Sequence, residues 1–376
     1  MDWREAPTRD GGGGRRFKLV ELVGSGGFSD VFLADMQEPG EPTRRVALKV
    51  LRDSREDTDA AKRLRDEARI LTRLDHPNIV VVHDLLRLGT RTAMVMDFVP
   101  GIDLGQLLAS DVGAVPINVA CRIGADVADA LDTALHAVDR GGKPLRVLHR
   151  DIKPSNIRIT PTGEVRLLDF GVAHASVEDR EAHTGSALLG SFGYMPPERI
   201  AGEAMVPAGD VYGLGKVVLE LCLGERLGRS SVVPKRHDAQ VDEAINRLRS
   251  LLGDSEAAAD LVATLRACLA HDPAERPSAR HLRHVWVRAS RVMPGPPVAE
   301  YAEVTVVAVA SSLEVRPLDE VLAETDTGTL ERAPARVRRT DGTWIVPVVL
   351  GLGAAGLGLL VAVLLAAVWW YAVLQG

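Results

Sequence analysis

The chain has 376 residues, more than a single hydrophobic core of roughly 250 to 300 residues usually takes in, so two or more packing units are expected. A hydrophobic fraction of 46% with a net charge of -6 describes an ordinary globular protein and leaves no basic surplus for nucleic acid. The three cysteines, Cys121, Cys222 and Cys268, are odd in number and far apart, which argues against a disulfide framework or a metal cluster and suits a reducing cytoplasm.

Residues 1–15 place no apolar run behind their charges, so they read as a flexible tail and not as a signal peptide. Phe17 and Leu19, then Val31 and Leu33, alternate around Gly24, Gly26 and Gly27, which predicts two strands joined by a tight turn. Missing side chains there would let backbone amides approach phosphate oxygens, although many glycine hairpins are only hairpins. The following strand, "RRVALKVLR", sets Lys49 between apolar neighbours. In "TDAAKRLRDEARILTRLDHPN", Leu64, Ala68 and Leu71 fall at helical spacing, and Glu67 lies on or beside their stripe. A carboxylate in that position is costly unless paired, and Lys49 is the partner expected.

The stretch "VLHRDIKPSNIRIT" crowds His149, Arg150, Asp151, Lys153 and Asn156 between apolar runs. Ile157 and Ile159, the turn Pro161 to Gly163, then Val165 and Leu167 predict a short hairpin. Asp151 and Asn156 stand just before it and Asp169 just after, so all three converge on one side. Oxygen-bearing side chains facing one another suit Mg²⁺ shared with substrate phosphates.

Residues 291–343 mix Pro, Glu, Thr and Ala without a sustained period and read as a linker, in which "EVTVVAVA" alone has the character of a strand. Residues 345–371 carry no charge, and about 20 apolar residues suffice to cross a bilayer as a helix. Arg336, Arg338 and Arg339 precede this run, while Trp344, Trp369, Trp370 and Tyr371 suit the two interfaces. The expectation is a single-pass membrane helix with everything before it on the cytoplasmic side and residues 372–376 as a short outer tail. Gly351, Gly353, Gly356 and Gly358 would permit two spans to pack as a homodimer.

Taken in order, "GSGGFSDV", "VALK", Glu67, "HRDIKPSN", "DFG", "GYMPPE", "DVYGLG" and "HDPAERPS" resemble a eukaryotic-type protein kinase of the Ser/Thr class that bacteria also carry, over roughly Phe17 to Val287. The resemblance implies an α+β fold of two lobes across residues 16–290, a small β-rich lobe of about 16–96 and a larger helical lobe of about 100–290, with the transmembrane helix as an appendage. It implies transfer of the γ-phosphoryl group of ATP to Ser or Thr hydroxyls of proteins, with Mg²⁺ or alternatively Mn²⁺. Residue by residue, Gly24, Ser25, Gly26, Gly27, Phe28 and Val31 would cover the nucleotide, with Lys49 on its phosphates and paired with Glu67. Asp151 would accept the substrate proton, Lys153 would touch the γ-phosphate, and Asn156 with Asp169 would hold the metal. Met96 would be the gatekeeper, Asp97 to Val99 the hinge, and Asp103 a ribose contact.

Glu198 and Arg276 match a structural ion pair of the larger lobe. Arg150 resembles the arginine that awaits a phosphate, for which Thr184 and Ser186 are candidates, whereas Ser191 has a structural or substrate-orienting place. Ser29 in place of a third glycine, "PPE" in place of "APE", and serine in place of threonine at 191 are departures, and none removes a catalytic group. A membrane-tethered pseudokinase would show damage at Lys49, Asp151 or Asp169, and a small-molecule phosphotransferase would lack "GYMPPE".

Overall fold

A computed structural model describes residues 15–26, 29–52, 59–88, 91–139, 141–170 and 192–313. Strands β1 (Arg16–Ser25), β2 (Ser29–Gln37), β3 (Arg44–Leu51), β4 (Val82–Leu88) and β5 (Arg91–Asp97) form one antiparallel sheet in the order β1-β2-β3-β5-β4. Strand alternation divides its side chains between two faces. Val46, Leu48 and Val50 of β3, with Ala93 and Val95 of β5, join Phe17, Phe32 and Met36 in an outer cluster. The alternate residues Ala47, Leu51, Met94 and Met96 face helix α1 (Asp59–Leu71) and the main core. Lys49 shares the parity of Ala47 and Leu51, so the period of two carries it toward α1. Ala61, Leu64, Ala68 and Leu71 of α1 are buried on the stripe that the helical spacing predicts.

Below the sheet lie α2 (Leu104–Ala109), α3 (Ile117–His136), the small sheet β6 (Ile102–Asp103), β7 (Ile157–Ile159) and β8 (Val165–Leu167), α4 (Pro197–Ile200), α5 (Pro207–Leu223), α6 (Pro234–Leu252), α7 (Glu256–Cys268) and α8 (Ala279–Val292). Helices α3 and α5 are buried along most of their length; α3 keeps one polar stripe, Arg122, Asp126, Asp129, Asp132 and His136, at the surface. Gly124 of α3 admits their close approach: a Cβ there would stand 2.6 Å from Val218 of α5 and 2.8 Å from the Trp286 ring of α8. The three cysteines are free and buried in this helical core.

The structure corrects the expected linker at its near end. Residues 298–312 form a helix, α9, with an α-helical start at Val298–Tyr301, a π-turn at Ala302–Val306 and an α-helical end at Val307–Ser312. The strand expected within it is therefore absent. A strand would have buried alternate residues, yet Val304 is 68% exposed, while Tyr301, Ala302, Val306 and Val309 are buried at helical spacing. Asn118 of α3 secures the approach by donating from Nδ2 to the Pro296 carbonyl at 2.8 Å. Gly163, in the β7–β8 turn with φ +83°, lets that turn lie against α9, because a Cβ there would come within 3.1 Å of Val298 Cγ1. The body thus runs past residue 290 to the end of α9.

No helix among the described residues is long and apolar enough to cross a membrane. The expected span at 345–371, the outer tail, residues 314–343 of the linker, most of the N-terminal tail, and Gly27, Phe28, Thr184, Ser186 and Ser191 all lie outside the described residues.

Candidate active site

The site forms where the large sheet meets the β7–β8 hairpin. Lys49 Nζ donates to Glu67 Oε1 and Oε2 at 3.0 and 3.2 Å and to Asp169 Oδ1 at 2.9 Å, so one ammonium joins the sheet, α1 and the hairpin's exit. Burial opposes the Lys49 charge, but the two carboxylates outweigh it and hold the ammonium above its ordinary range. Burial also pushes Glu67 up, to about 7, with Lys49 pulling down and Asp169 adding repulsion. Asp169 ends below the usual carboxylate range, since Lys49 and Lys153 overcome its burial.

Asp151 stands before the hairpin in a loop clamped from behind. Asp210 of α5 accepts from the backbone amides of His149 at 2.8 Å and Arg150 at 2.7 Å. These bonds hold Arg150 at φ +68°, a left-handed conformation unusual for a residue with a Cβ. Asp169 is also left-handed, at φ +46°. The buried His149 ring donates from Nε2 to the Leu168 carbonyl at 2.8 Å, tying the loop to the residue before Asp169, and packs 4.7 Å from the Phe170 ring. Burial lowers its pKa to about 4, so the ring is neutral. Burial raises the Asp210 carboxyl to about 6, against the pull of the amides it accepts from.

In front of this clamp, Lys153 Nζ donates to Asp151 Oδ2 at 2.6 Å. Asn156 Nδ2 donates to the Asp151 carbonyl at 2.8 Å and to Asp151 Oδ2 at 3.2 Å. With the Asn156 nitrogen turned to Asp151, its amide oxygen is oriented the other way. That oxygen and the ionised, partly exposed Asp169 carboxylate are hard donors from the two ends of one hairpin. They fit a divalent cation that takes its remaining ligands from phosphate and water, as Mg²⁺ does. Among the described residues no group of three His, Cys, Asp or Glu side chains makes a cage that binds metal unaided.

The glycine turn has an anchor that the pattern did not reveal. Gly24 pairs with Val31 and Ser25 with Asp30. Arg52 grips Asp30 with Nε at 3.0 Å and a terminal nitrogen at 2.7 Å, and the same nitrogen donates to Ser25 Oγ at 2.5 Å. A Cβ at Gly24 would meet nothing nearer than Val31 Cβ at 4.0 Å, so the base of the turn is open on that side.

Met96 is buried at the end of β5, and Val99 follows it into the core. Arg158 of β7 donates from Nε to the Val99 carbonyl at 2.9 Å and also reaches the Gly101 carbonyl, fastening the crossing between the two halves. The Asp97 side chain lies 2.7 Å from His83 Nε2 of β4, so the cleft is left its backbone. Asp103, expected at a ribose, caps α2: its Oδ1 accepts from the Gln106 amide at 2.9 Å, and Gln106 Oε1 accepts from the Asp103 amide at 2.9 Å. Glu198 and Arg276 form a buried bidentate pair at 2.7 and 2.8 Å. Arg150 Nε is buried without a partner among the described residues. Arg150 and Asp151 line a small cavity with Tyr194, Met195 and Pro196. Pattern reasoning assigned no role to Asp210 or His149, although both sit within quoted motifs; Asp210 stood out as the one charge in "VPAGDVYGLG", whereas nothing set His149 apart from the charged residues that follow it.

Residues 17–287 match the family model described as the protein kinase domain. A probable serine/threonine-protein kinase of Clostridium perfringens is 34% identical over 237 residues, covering 63% of this chain and 32% of that protein. The serine/threonine-protein kinase PknB of Mycobacterium leprae is 35% identical over 216 residues, covering 56% and 33%. The kinase domain of Mycobacterium tuberculosis PknI aligns with a TM-score of 0.53 and 28% identity, over 77% of this chain and 99% of that one. The chain spans about a third of the length of the first curated relatives it matches.

Proposed function

The chain belongs to the protein kinase family, and from that premise we propose that it transfers the γ-phosphoryl group of ATP to Ser or Thr hydroxyls of proteins, from the cytoplasmic face of a membrane. The observation that carries the reading is a pair of hydrogen-bonded sets, Lys49 with Glu67 and Asp169, and Asp151 with Lys153 and Asn156, each held by contacts of 2.6 to 3.2 Å and joined where the Leu168 amide donates to the Asn156 carbonyl at 2.8 Å. In this reading Asp151 accepts the proton of the acceptor hydroxyl as its oxygen bonds to the γ-phosphorus, while the bond from that phosphorus to the β,γ-bridging oxygen breaks and ADP keeps the electron pair. Lys49, braced by Glu67, orients the α- and β-phosphates, and Lys153 meets the charge on the γ-phosphoryl oxygens. Asn156 and Asp169 would hold Mg²⁺, which would supply charge stabilisation to the phosphates. Positioning and charge thus supply most of the catalysis.

The relatives named as serine/threonine kinases support the acceptor class, as does Lys153 two residues after Asp151. Incubating the full-length chain with labelled ATP, a divalent cation and Ser, Thr or Tyr peptide pools tests it: label on Ser and Thr is expected, and label on Tyr alone refutes it. The uncharged run at 345–371 and the arginines before it support the membrane anchor. Full-length protein should resist carbonate extraction with its kinase domain shielded from external protease; recovery in the soluble fraction refutes the anchor. Autophosphorylation at Thr184 or Ser186 toward Arg150, and pairing of spans, complete the proposal; mass spectrometry of active protein and crosslinking in membranes test them.

A further inference from the structure

Helix α5 carries a buried charge that the mechanism above does not use. Lys216 is 4% exposed, and the other charge on its face of the helix is Glu220, one turn on. Its Nζ donates to the Gly193 carbonyl at 2.6 Å, to the Gly228 carbonyl, and to Ser230 Oγ at 3.3 Å. An ammonium has three hydrogens and no lone pair, and here all three meet neutral oxygens. Two of those oxygens belong to the loop between α5 and α6, and the third to the segment entering α4. The ammonium also lies 5.9 Å from the Tyr194 ring centroid. Around it, Tyr194 donates to Glu220 Oε2 at 2.5 Å, Glu220 Oε1 accepts from the Leu227 amide at 2.9 Å, and Tyr212 donates to Ser230 Oγ at 2.5 Å.

Burying a cation without a close carboxylate is costly, and an apolar side chain of similar length would fill the space without that cost. What the charge adds is a tie between two loops. The loop residues it holds are the back of a functional wall, since Tyr194, Met195 and Pro196 line the cavity beside Asp151. We propose that Lys216 is a positioning residue for the protein acceptor: by fixing the Gly193 carbonyl to α5 and to the 228–230 loop, it sets the surface that presents the hydroxyl to Asp151. This inference rests on the kinase reading and adds to it a determinant of acceptor binding separate from the nucleotide site.

The ionisation of Lys216 makes the tie sensitive to pH. Burial pushes its pKa down to about 8, with Glu220 drawing it back up. The ionisable groups around it, beside it or lining the same cavity, are Glu220 and Tyr212 from α5, Tyr194 from the entering segment, Glu225, Arg226 and Arg229 from the loop, and His237, Glu243 and Arg247 from α6. Burial lowers the pKa of His237 and raises those of Tyr194 and Tyr212, so these groups move away from the range in which Lys216 titrates. As pH rises through about 8, the amine loses one hydrogen and with it one of the three ties.

The test uses full-length wild type, Lys216→Met and Lys216→Arg, with the peptide that wild type phosphorylates best in a positional Ser/Thr array. Lys216→Met is expected to raise the peptide KM roughly tenfold, the weight of one charge-assisted hydrogen bond, with the KM for ATP unchanged and Tm no lower. Lys216→Arg, which keeps the charge, should recover part of the loss. Wild type should show a peptide KM that rises from about pH 7 to about pH 9 while the KM for ATP does not, and this profile serves alone if the variants fail to fold. An unchanged peptide KM in Lys216→Met, a parallel rise in both KM values, or a flat wild-type profile overturns the proposal. Wild type that labels no peptide at all overturns the kinase reading first and the proposal with it.

Discussion

Removing the Glu198 carboxylate offers the sharpest test of the helical half. Arg276 has a fully buried side chain, and its five N–H groups meet five acceptors: Glu198 twice, at 2.7 and 2.8 Å, and the carbonyls of Ala270, Ala208 and His271 at 2.9, 3.1 and 3.1 Å. Its guanidinium also lies 4.7 Å over the Tyr212 ring. Glu198→Ala leaves that cation in the core without its counter-charge, a loss of about 3 to 5 kcal/mol from a domain whose whole stability is of order 5 to 15 kcal/mol. With a urea slope of about 1 to 3 kcal/mol per molar, the midpoint should fall by about 1 M or more. Urea unfolding followed by far-ultraviolet circular dichroism measures it. The double variant Glu198→Ala/Arg276→Met removes both charges and should regain much of the loss. A midpoint unmoved in the single variant, or a double variant weaker than the single, would refute this electrostatic account.

Three further outcomes are expected. Asp151→Asn should lower phosphoryl transfer roughly 100-fold or more with little change in nucleotide affinity, read by labelled ATP and by nucleotide titration. Because Glu67 ionises only above about 7, kcat/KM for ATP should rise with pH through that value as Lys49 gains its second carboxylate; Glu67→Gln should flatten that limb, and an unchanged profile would separate Glu67 from it. Ending the chain after residue 293 removes the Asn118 bond and uncovers the surface that buries Tyr301, Ala302, Val306 and Val309, so at about 1.5 to 3 kcal/mol for each large apolar side chain Tm should fall by several degrees relative to a chain ending after 313.

The parts that sequence reasoning reached are those governed by local period. The sheet hairpin, the stripe of α1 and the β7–β8 hairpin follow from spacings of two and of three to four, and the Lys49–Glu67 pair follows once both periods are known. The parts it missed depend on partners remote in the chain. Asn118 and Pro296 are 178 residues apart, and no periodicity connects them. The 298–312 segment is rich in valine, whose intrinsic preference favours strands, but the surface of α3 and the β7–β8 turn select the helix. Asp30 with Arg52, and Lys216 with two loop carbonyls, have local settings that look like ordinary surface or core positions; only the assembled fold brings their partners within reach.

The charge arrangement in the cleft constrains how a nucleotide enters it. Lys49 and Lys153 bring two ammonium groups against the carboxylates of Glu67, Asp151 and Asp169, so negative charge is in excess above about pH 7, where Glu67 is ionised. A bare triphosphate approaching this site would be repelled, and Lys49 would have to leave Asp169 to meet it. Asp169 and Asn156 would hold a divalent cation whose charge would offset both terms, leaving Lys49 less tightly held by Asp169 and free to meet phosphate. ATP and the cation are therefore expected to bind with positive linkage, each raising the affinity for the other by the same factor. Titrating nucleotide into the Asp151→Asn chain, in which turnover is suppressed, with and without a chelator measures that factor. Affinity for ATP that is equal in the two conditions would show that Lys49 reaches phosphate without release from Asp169.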